Sequence, residues 1–571
     1  MVWYNRGMSY LPTRRLLLAS VALAVLTLAI LAACALDPTA EPTPTPPPPT
    51  STPLPRGGNL TIRMAADVPE LRPWQPRSRA EEQISGLLYS GLTRLDAKLQ
   101  PQPDLANGWD AAPDGRLITF TLRTDVTWHD GRPLSAEDVA YTLGALRELS
   151  PTTALLADLR RIDQIATPTT STVVLSLTER YAPIFAELAV PILPKHLLLG
   201  KDIATLNFWD APVGSGPFRF AEHKAGASVT LEANPRFYRG APLLDRVAFV
   251  VADADVAVSA LKDGRLSLAE LPWAQGRAIS QTLPGLQAGA YPENGYYFLA
   301  FNMRQNRLFA DPRLREALAG ALDMPALVSV ATAGQGQPIA TSIAPGSWAD
   351  GVPAPTSTLD LARAGTLLDE AGWKLPDGAA IRQQGGVTLT VQLFVRGDDE
   401  RRLRAAELIA AAARQIGMNI DVQRADFASV IKSKYAPPYD FDLLLGSWSN
   451  GAGDPDFADY AFYDPDDFAL FHSSQINQGV ADTRAVLNIG GFADPAYDNQ
   501  AAAARQLYDP AERLKAIEQA QARIVAARPY LFLWADRIPV ALGARVVSLD
   551  GAVDLNTPMY LWNIERWYLR K

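Results

Sequence analysis

Side chains do chemistry only when the right types stand at the right spacing, and this chain is sparing with them. Its four histidines, His129, His196, His223 and His472, lie far apart, without metal-ligand spacing and without an H-E-x-x-H pair. A hydrolase nucleophile would sit in G-x-S-x-G or a comparable serine setting, and neither occurs. Asp454, Asp456, Asp459, Asp464, Asp466 and Asp467 crowd one stretch. They fit solvated loop acids, although a carboxylate pair or a Ca²⁺ site stays open at this stage. Gly334-Gln-Gly336 is too short for a phosphate-cradling loop. What the chain does hold is aromatic: 12 tryptophans, more than core packing alone requires and suited to stacking on planar or sugar-like groups. One of them, Trp448, follows the apolar run Asp442-Leu-Leu-Leu-Gly446 and opens the polar turn Ser449-Asn450-Gly451-Ala-Gly453-Asp454-Pro455. These patterns do not point to an enzyme, and no cofactor or metal is expected.

The ends and the composition speak about place. Arg6, Arg14 and Arg15 precede an uncharged run from Leu16 to Ala33, and the sole cysteine, Cys34, closes it. A basic start, an apolar middle and small residues before a cut site describe an export signal over 1–34. Leu31-Ala-Ala-Cys34 has the lipobox pattern, in which the cysteine is acylated and tethers the protein to a membrane. An uncleaved membrane-spanning helix is the alternative, since about 18 apolar residues just cross a bilayer. Residues 35–56 are rich in proline and threonine, which blocks helix and sheet and favours an extended linker. A net charge of -8 without a basic stripe argues against nucleic acid as a partner.

The elements that must position any site are legible from pattern. Asp114-Gly115 is a turn, and Leu117–Leu122 alternates as a half-buried strand does. Asp130-Gly131 makes a second turn, and Ser135-Ala-Glu-Asp138 is a capping box opening a helix that carries Val139, Leu143 and Leu146. Asp311-Pro312 begins a helix with Leu314, Leu318 and Leu322 on one face. Further helices are expected over Leu361–Trp373, Arg401–Ile416 and Asp509–Arg528, with a strand at Asn419–Val422. Strands alternating with helices give an α/β protein.

Specific residues carry more than the pattern. Leu105-Ala106, Trp109, Asp114-Gly115, Phe120-x-Leu-Arg123, Val126-x-Trp128-His129-Asp130-Gly131, Pro133-Leu134 and Ala136-Glu137-Asp138-Val139 resemble, in order and spacing, the family-5 solute-binding proteins. These are the extracytoplasmic peptide, dipeptide and nickel-complex receptors of ABC importers. Pro191-Ile-Leu-Pro194-Lys-His196, Pro212-Val-Gly-Ser-Gly-Pro217-Phe218 and Asn234-Pro-Arg-Phe-Tyr238 extend the resemblance to nearly the whole chain from Gly57 onward. It implies a two-lobe periplasmic-binding-protein-like α/β fold of the large class, with an extra inserted domain and a ligand cleft between lobes. Lobe 1 would combine 57–98, 211–295 and 534–571, the inserted domain would be 99–210, and lobe 2 would be 296–533. Crossing segments near Tyr296 and Trp534 would serve as the hinge.

The resemblance also implies ligand contacts. In peptide-binding relatives an aspartate three residues after the tryptophan pairs with the peptide's α-ammonium, and that place is Gly451 here. A buried ammonium without its carboxylate is costly, so Asp454 would have to be recruited, or free-amino-terminus recognition is lost. Trp448, Ser449 and Asn450 would join them. Phe427 falls at an aromatic pocket wall, Lys434 and Arg401 at polar contacts for the far end of the ligand, and Arg79 at a cleft edge. Glu293 to Tyr297, including Tyr296, corresponds to an extended segment whose backbone could take a peptide as an added strand. The implied function is capture of an oligopeptide by a monomeric lipoprotein outside the cytoplasm and its delivery to a permease and ATPase. An oligosaccharide ligand, a sensory role and, last, a secreted hydrolase are the alternatives.

Overall fold

The computed structural model describes residues 55–570 apart from 75, 77, 150–153, 283–284, 294, 355, 357–358, 450–464, 466 and 478–485. Cys34, residues 35–54 of the proline-rich linker, Asn450, Gly451 and Asp454 therefore lie outside the described residues. No helix among the described residues is long and apolar enough to cross a membrane.

One strand organises the molecule. Tyr530–Leu542 pairs through Tyr530–Trp534 with Gly295–Phe301, and through Arg537–Leu542 with Gln287–Pro292. Its last residues also pair with Leu268–Glu270. Ten strands follow in the order Asn419–Ala425, Thr390–Arg396, Leu443–Ser449, Gly295–Phe301, Tyr530–Leu542, Leu268–Glu270, Asn59–Met64, Arg246–Val251, Ser228–Ala233 and Phe218–Lys224. Gln287–Pro292 and Gly336–Pro338 add to the central strand to make twelve. The neighbours Thr390–Arg396 and Asn419–Ala425 are parallel, and the helix Glu400–Gln415 supplies the crossover that parallel strands need.

A separate antiparallel sheet of four strands lies between Asn59–Met64 and Phe218–Lys224 in chain order. Its first hairpin, Ala106–Ala111 with Leu117–Leu122, turns at Gly115, whose φ of 71° suits glycine. The expected capping box is present in half: Asp138 accepts the Ser135 N–H at 2.9 Å and opens the helix Ala136–Leu149. His129 belongs to the second turn, as its neighbours suggest. The Gly214 N–H donates to its Nδ1 and its Nε2 reaches the Gly216 carbonyl, both at 3.1 Å. That network assigns a neutral ring with the proton on Nε2. Burial pushes its pKa down to about 4.

The strand Gly295–Phe301 shows how period 2 builds the second half. Tyr297, Leu299 and Phe301 enter one hydrophobic core, while Tyr296, Phe298 and Ala300 enter another on the opposite face. Both edges of this strand are paired, with Leu443–Ser449 on one side and Tyr530–Trp534 on the other.

Candidate ligand-binding site

The helix Arg79–Leu88 begins with Ser78, whose hydroxyl accepts the Glu81 N–H at 3.2 Å. Its buried face carries Ile84, Leu87 and Leu88. At its far end a loop presses so closely that side chains are excluded. A Cβ on Gly214 would stand 1.9 Å from the Leu88 carbonyl oxygen, and one on Gly216 would stand 2.4 Å from that of Leu87. The glycines of Val213-Gly-Ser-Gly-Pro217 are thus explained by close approach. Beside this junction lies a pocket of about 260 Å³ bounded by the helix, Arg94, Asp104, Pro191, Pro217, Arg239 and the segment from Pro558 to Glu565.

Charge in this pocket is balanced. Arg79, Arg94 and Arg239 face Glu82, Asp104 and Glu565. Arg79 pairs with Glu82 at 2.7 Å, lies 3.6 Å from Glu270 and donates to the Pro558 carbonyl. Glu270 in turn accepts from the phenols of Tyr291 at 2.9 Å and Tyr560 at 2.7 Å. Burial raises both phenols, so they stay neutral donors. Deeper in, the Arg239 Nε reaches Glu565 at 3.1 Å and its Nη1 bonds Asp104, which also accepts from Tyr238 at 2.7 Å. Burial pushes the Asp104 carboxyl up while Arg239 pulls it back. For Arg239 burial works downward, and Asp104 leads the groups that lift it above its ordinary value. The Arg94 guanidinium carbon lies over the Trp562 ring, 4.9 Å from its centroid. Apolar walls with self-neutralising charges fit an uncharged or zwitterionic group better than a multiply charged one.

Of the residues expected at the site, Arg79 lines this pocket. Trp448 does not: it is 2% exposed, stacked on Phe298 with centroids 5.7 Å apart and set edge-on to Tyr435. It is a core ring because its strand is internal, with both faces covered. The same burial places Tyr296, 4% exposed, in the core; its strand pairs with Leu443–Ser449 from Gly295 onward and with Tyr530–Leu542 from Tyr297 onward. The Ser449 backbone pairs with Gly295. The Glu293 N–H donates to the Asp536 carbonyl at 2.7 Å in the bend before that strand.

Arg401 is committed to the central strand. It bonds Asp536 at 2.7 Å and the Tyr297 hydroxyl at 2.9 Å, and the Trp534 indole N–H completes the Asp536 shell at 3.1 Å. Burial opposes its charge, and Asp536 more than restores it. Phe427 stands in a π-helical turn with the Arg396 guanidinium 5.2 Å from its ring centroid, and the Lys434 ammonium lies 4.1 Å from the Phe394 ring. The expected residues therefore fall into three places: Arg79 at the pocket, Arg401 with Glu293 at the strand crossing, and Trp448, Tyr296, Phe427 and Lys434 around one aromatic core. Sequence reasoning passed over Glu82, Arg94, Asp104, Arg239, Trp562 and Glu565. They are scattered over several segments and share no motif; Asp104 directly precedes the landmark Leu105-Ala106, and Arg239 directly follows Asn234-Pro-Arg-Phe-Tyr238.

Comparison with known proteins decides the family. The model of the bacterial extracellular solute-binding proteins, family 5, matches residues 100–469. The chain belongs to this family. An oligopeptide-binding protein of Bacillus subtilis, AppA, is 26% identical over 525 residues, covering 90% of this chain and 92% of its own. Protein XP55 of Streptomyces lividans is 30% identical over 459 residues, 78% of each chain. The structure of B. subtilis AppA with a nonapeptide superposes with a TM-score of 0.62 over 90% of this chain and 99% of that one, at 26% identity. The unliganded open form of the murein tripeptide-binding protein MppA gives a TM-score of 0.73 at 20% identity over 90% of this chain and 97% of its own. This family-5 protein thus has the two-lobe α/β architecture of its relatives, and family members bind solutes rather than transform them.

Proposed function

We propose that this family-5 protein captures an oligopeptide outside the cytoplasm, between lobes joined at the strand Tyr530–Leu542, and delivers it to an ABC permease. The observation that carries the reading is similarity to an oligopeptide-binding relative along nine-tenths of both chains. The pocket beside the helix Arg79–Leu88 is lined by lobe 1 and the inserted domain alone, and its volume takes one ligand side chain on that side. Lobe 1 is assigned to 57–98, 211–295 and 534–571, the inserted domain to 99–210 and lobe 2 to 296–533. Acylation at Cys34, after removal of residues 1–33, holds the protein on the membrane, with 35–56 as the tether. A bound peptide favours one arrangement of the lobes only through contacts that differ between arrangements. Calorimetry with a mixed library from dipeptides to nonapeptides tests the reading. Saturable heat is expected, and silence across the library overturns it.

A further inference from the structure

The turn between the helices Pro495–Gln506 and Pro510–Ala527 reaches out of its own half of the chain. The Tyr508 hydroxyl donates to the Gly115 carbonyl at 2.6 Å and accepts the Tyr181 N–H at 3.3 Å. Its ring meets Phe185 edge-on, with centroids 5.1 Å apart and 76° between planes, and the Arg180 guanidinium lies 4.8 Å from it. Just before it, the Arg505 carbonyl accepts the Ala182 N–H at 2.6 Å, and the Arg505 guanidinium sits 5.4 Å from the Tyr181 ring. Every partner here belongs to 99–210, and the turn belongs to 296–533.

The receiving surface is built for this. Phe185 stacks on Trp109 at 4.8 Å and 20°, and Trp109 leans on Phe120 of the neighbouring strand. Gly115 is the tight turn of that hairpin, and Arg180 fills the space above it, 2.6 Å from where a Cβ would stand. A hairpin tip and a short helix thus offer one carbonyl, two N–H groups and an aromatic face to a single turn. Tyr508 is only half-buried, and its polar bonds go to backbone groups rather than into a core. A contact of that make-up adds a few net hydrogen bonds and one ring pair, which is small beside a hydrophobic interface and reversible without unfolding either side.

We propose that the Arg505–Tyr508 turn is a latch that holds the 296–533 half on the 99–210 segment, and that rearrangement of the lobes about the strand Tyr530–Leu542 releases it. The latch biases the lobe equilibrium before any ligand arrives, so its strength sets part of the apparent affinity for every ligand alike. The inserted segment then has a conformational task although it supplies few groups to the pocket. The claim concerns lobe motion and stands apart from the identity of the solute.

Hydrogen exchange of the full-length protein, read at single amides by mass spectrometry, tests it. In the unmodified, ligand-free protein the Ala182 amide is expected to exchange at least tenfold faster than those of the strand Thr172–Leu177, because the latch opens while the sheet stays folded. Tyr508→Ala is expected to speed Ala182 at least a further tenfold and to leave that strand unchanged. Tyr508→Phe keeps the ring and removes the hydroxyl, and it is expected to give an intermediate increase. Equal protection of Ala182 and the strand in the unmodified protein would mean a fixed pivot and overturns the proposal. So does an Ala182 rate that neither variant changes, or an increase that spreads through the whole four-stranded sheet. If Tyr508→Ala does not fold, Tyr508→Phe alone reads the same amide against the same criteria.

Discussion

Two tryptophans stand in different surroundings. Trp448 is 2% exposed on an internal strand and packs on Phe298 and Tyr435. Trp562 is half-buried beside a pocket, with the Arg94 guanidinium against its face. The residue type is the same, and its neighbours assign opposite tasks. The strand of Trp448 has an apolar core on each face, so this tryptophan fills a core although a polar turn follows it in sequence. A tryptophan on a terminal loop beside a helix end is left with one face to offer.

The sharpest way to break this contrast is to truncate both rings. Trp448→Ala is expected to cost about 3–5 kcal/mol of stability in urea unfolding, through lost burial and the cavity left behind. Trp562→Ala is expected to cost about 1 kcal/mol, the scale of a partly exposed cation–π contact. Equal losses would erase the distinction. A second test separates the back of the pocket from its front. Arg239→Met leaves Asp104 and Glu565 buried without their shared cation, and a loss of about 3–5 kcal/mol is expected. A loss below about 1 kcal/mol would mean that the carboxylates find other partners.

Acid should loosen the pocket side. The ring of His129 fastens the Gly214–Gly216 loop that presses on the helix Arg79–Leu88, and its pKa is about 4 when folded. The unfolded chain takes up this proton near 6.5, before the folded one does. Stability from this group is therefore complete above about pH 6.5 and is lost as pH falls from there toward 4, by about 3 kcal/mol. His129→Gln should flatten that limb of a stability–pH curve, and an unchanged limb assigns the acid sensitivity elsewhere. The smallest expected effect is at the latch: Tyr508→Phe should lower overall stability by no more than about 1 kcal/mol.

Much of the fold was legible because its signals are local. Asp311 before Pro312, Asp399 before Glu400 and Asp509 before Pro510 each cap a helix where pattern placed one. Family membership was legible too, since turns such as Asp114-Gly115 and Asp130-Gly131 and close-packed glycines such as Gly214 and Gly216 tolerate few substitutes. The site was less so. Arg79 lines the pocket, while Asp104, Arg239 and Glu565 meet through tertiary pairing of segments more than a hundred residues apart. Trp448 and Tyr296 are buried because apolar cores cover both faces of their strands, which residue type alone does not report. Arg401, next to a helix start, is engaged by Asp536 and the Tyr297 hydroxyl, a pairing that its sequence neighbours do not show.

The central claim is that a ligand side chain enters the pocket beside the helix Arg79–Leu88 and does not touch the ring of Trp448. Calorimetric titration of a mixed peptide library into the unmodified protein, Trp562→Ala and Trp448→Phe tests it most directly. The account predicts that Trp562→Ala weakens binding at least tenfold while Trp448→Phe, which keeps an aromatic core ring, binds within about threefold of the unmodified protein. Tenfold weakening by Trp448→Phe with binding intact in Trp562→Ala would contradict it.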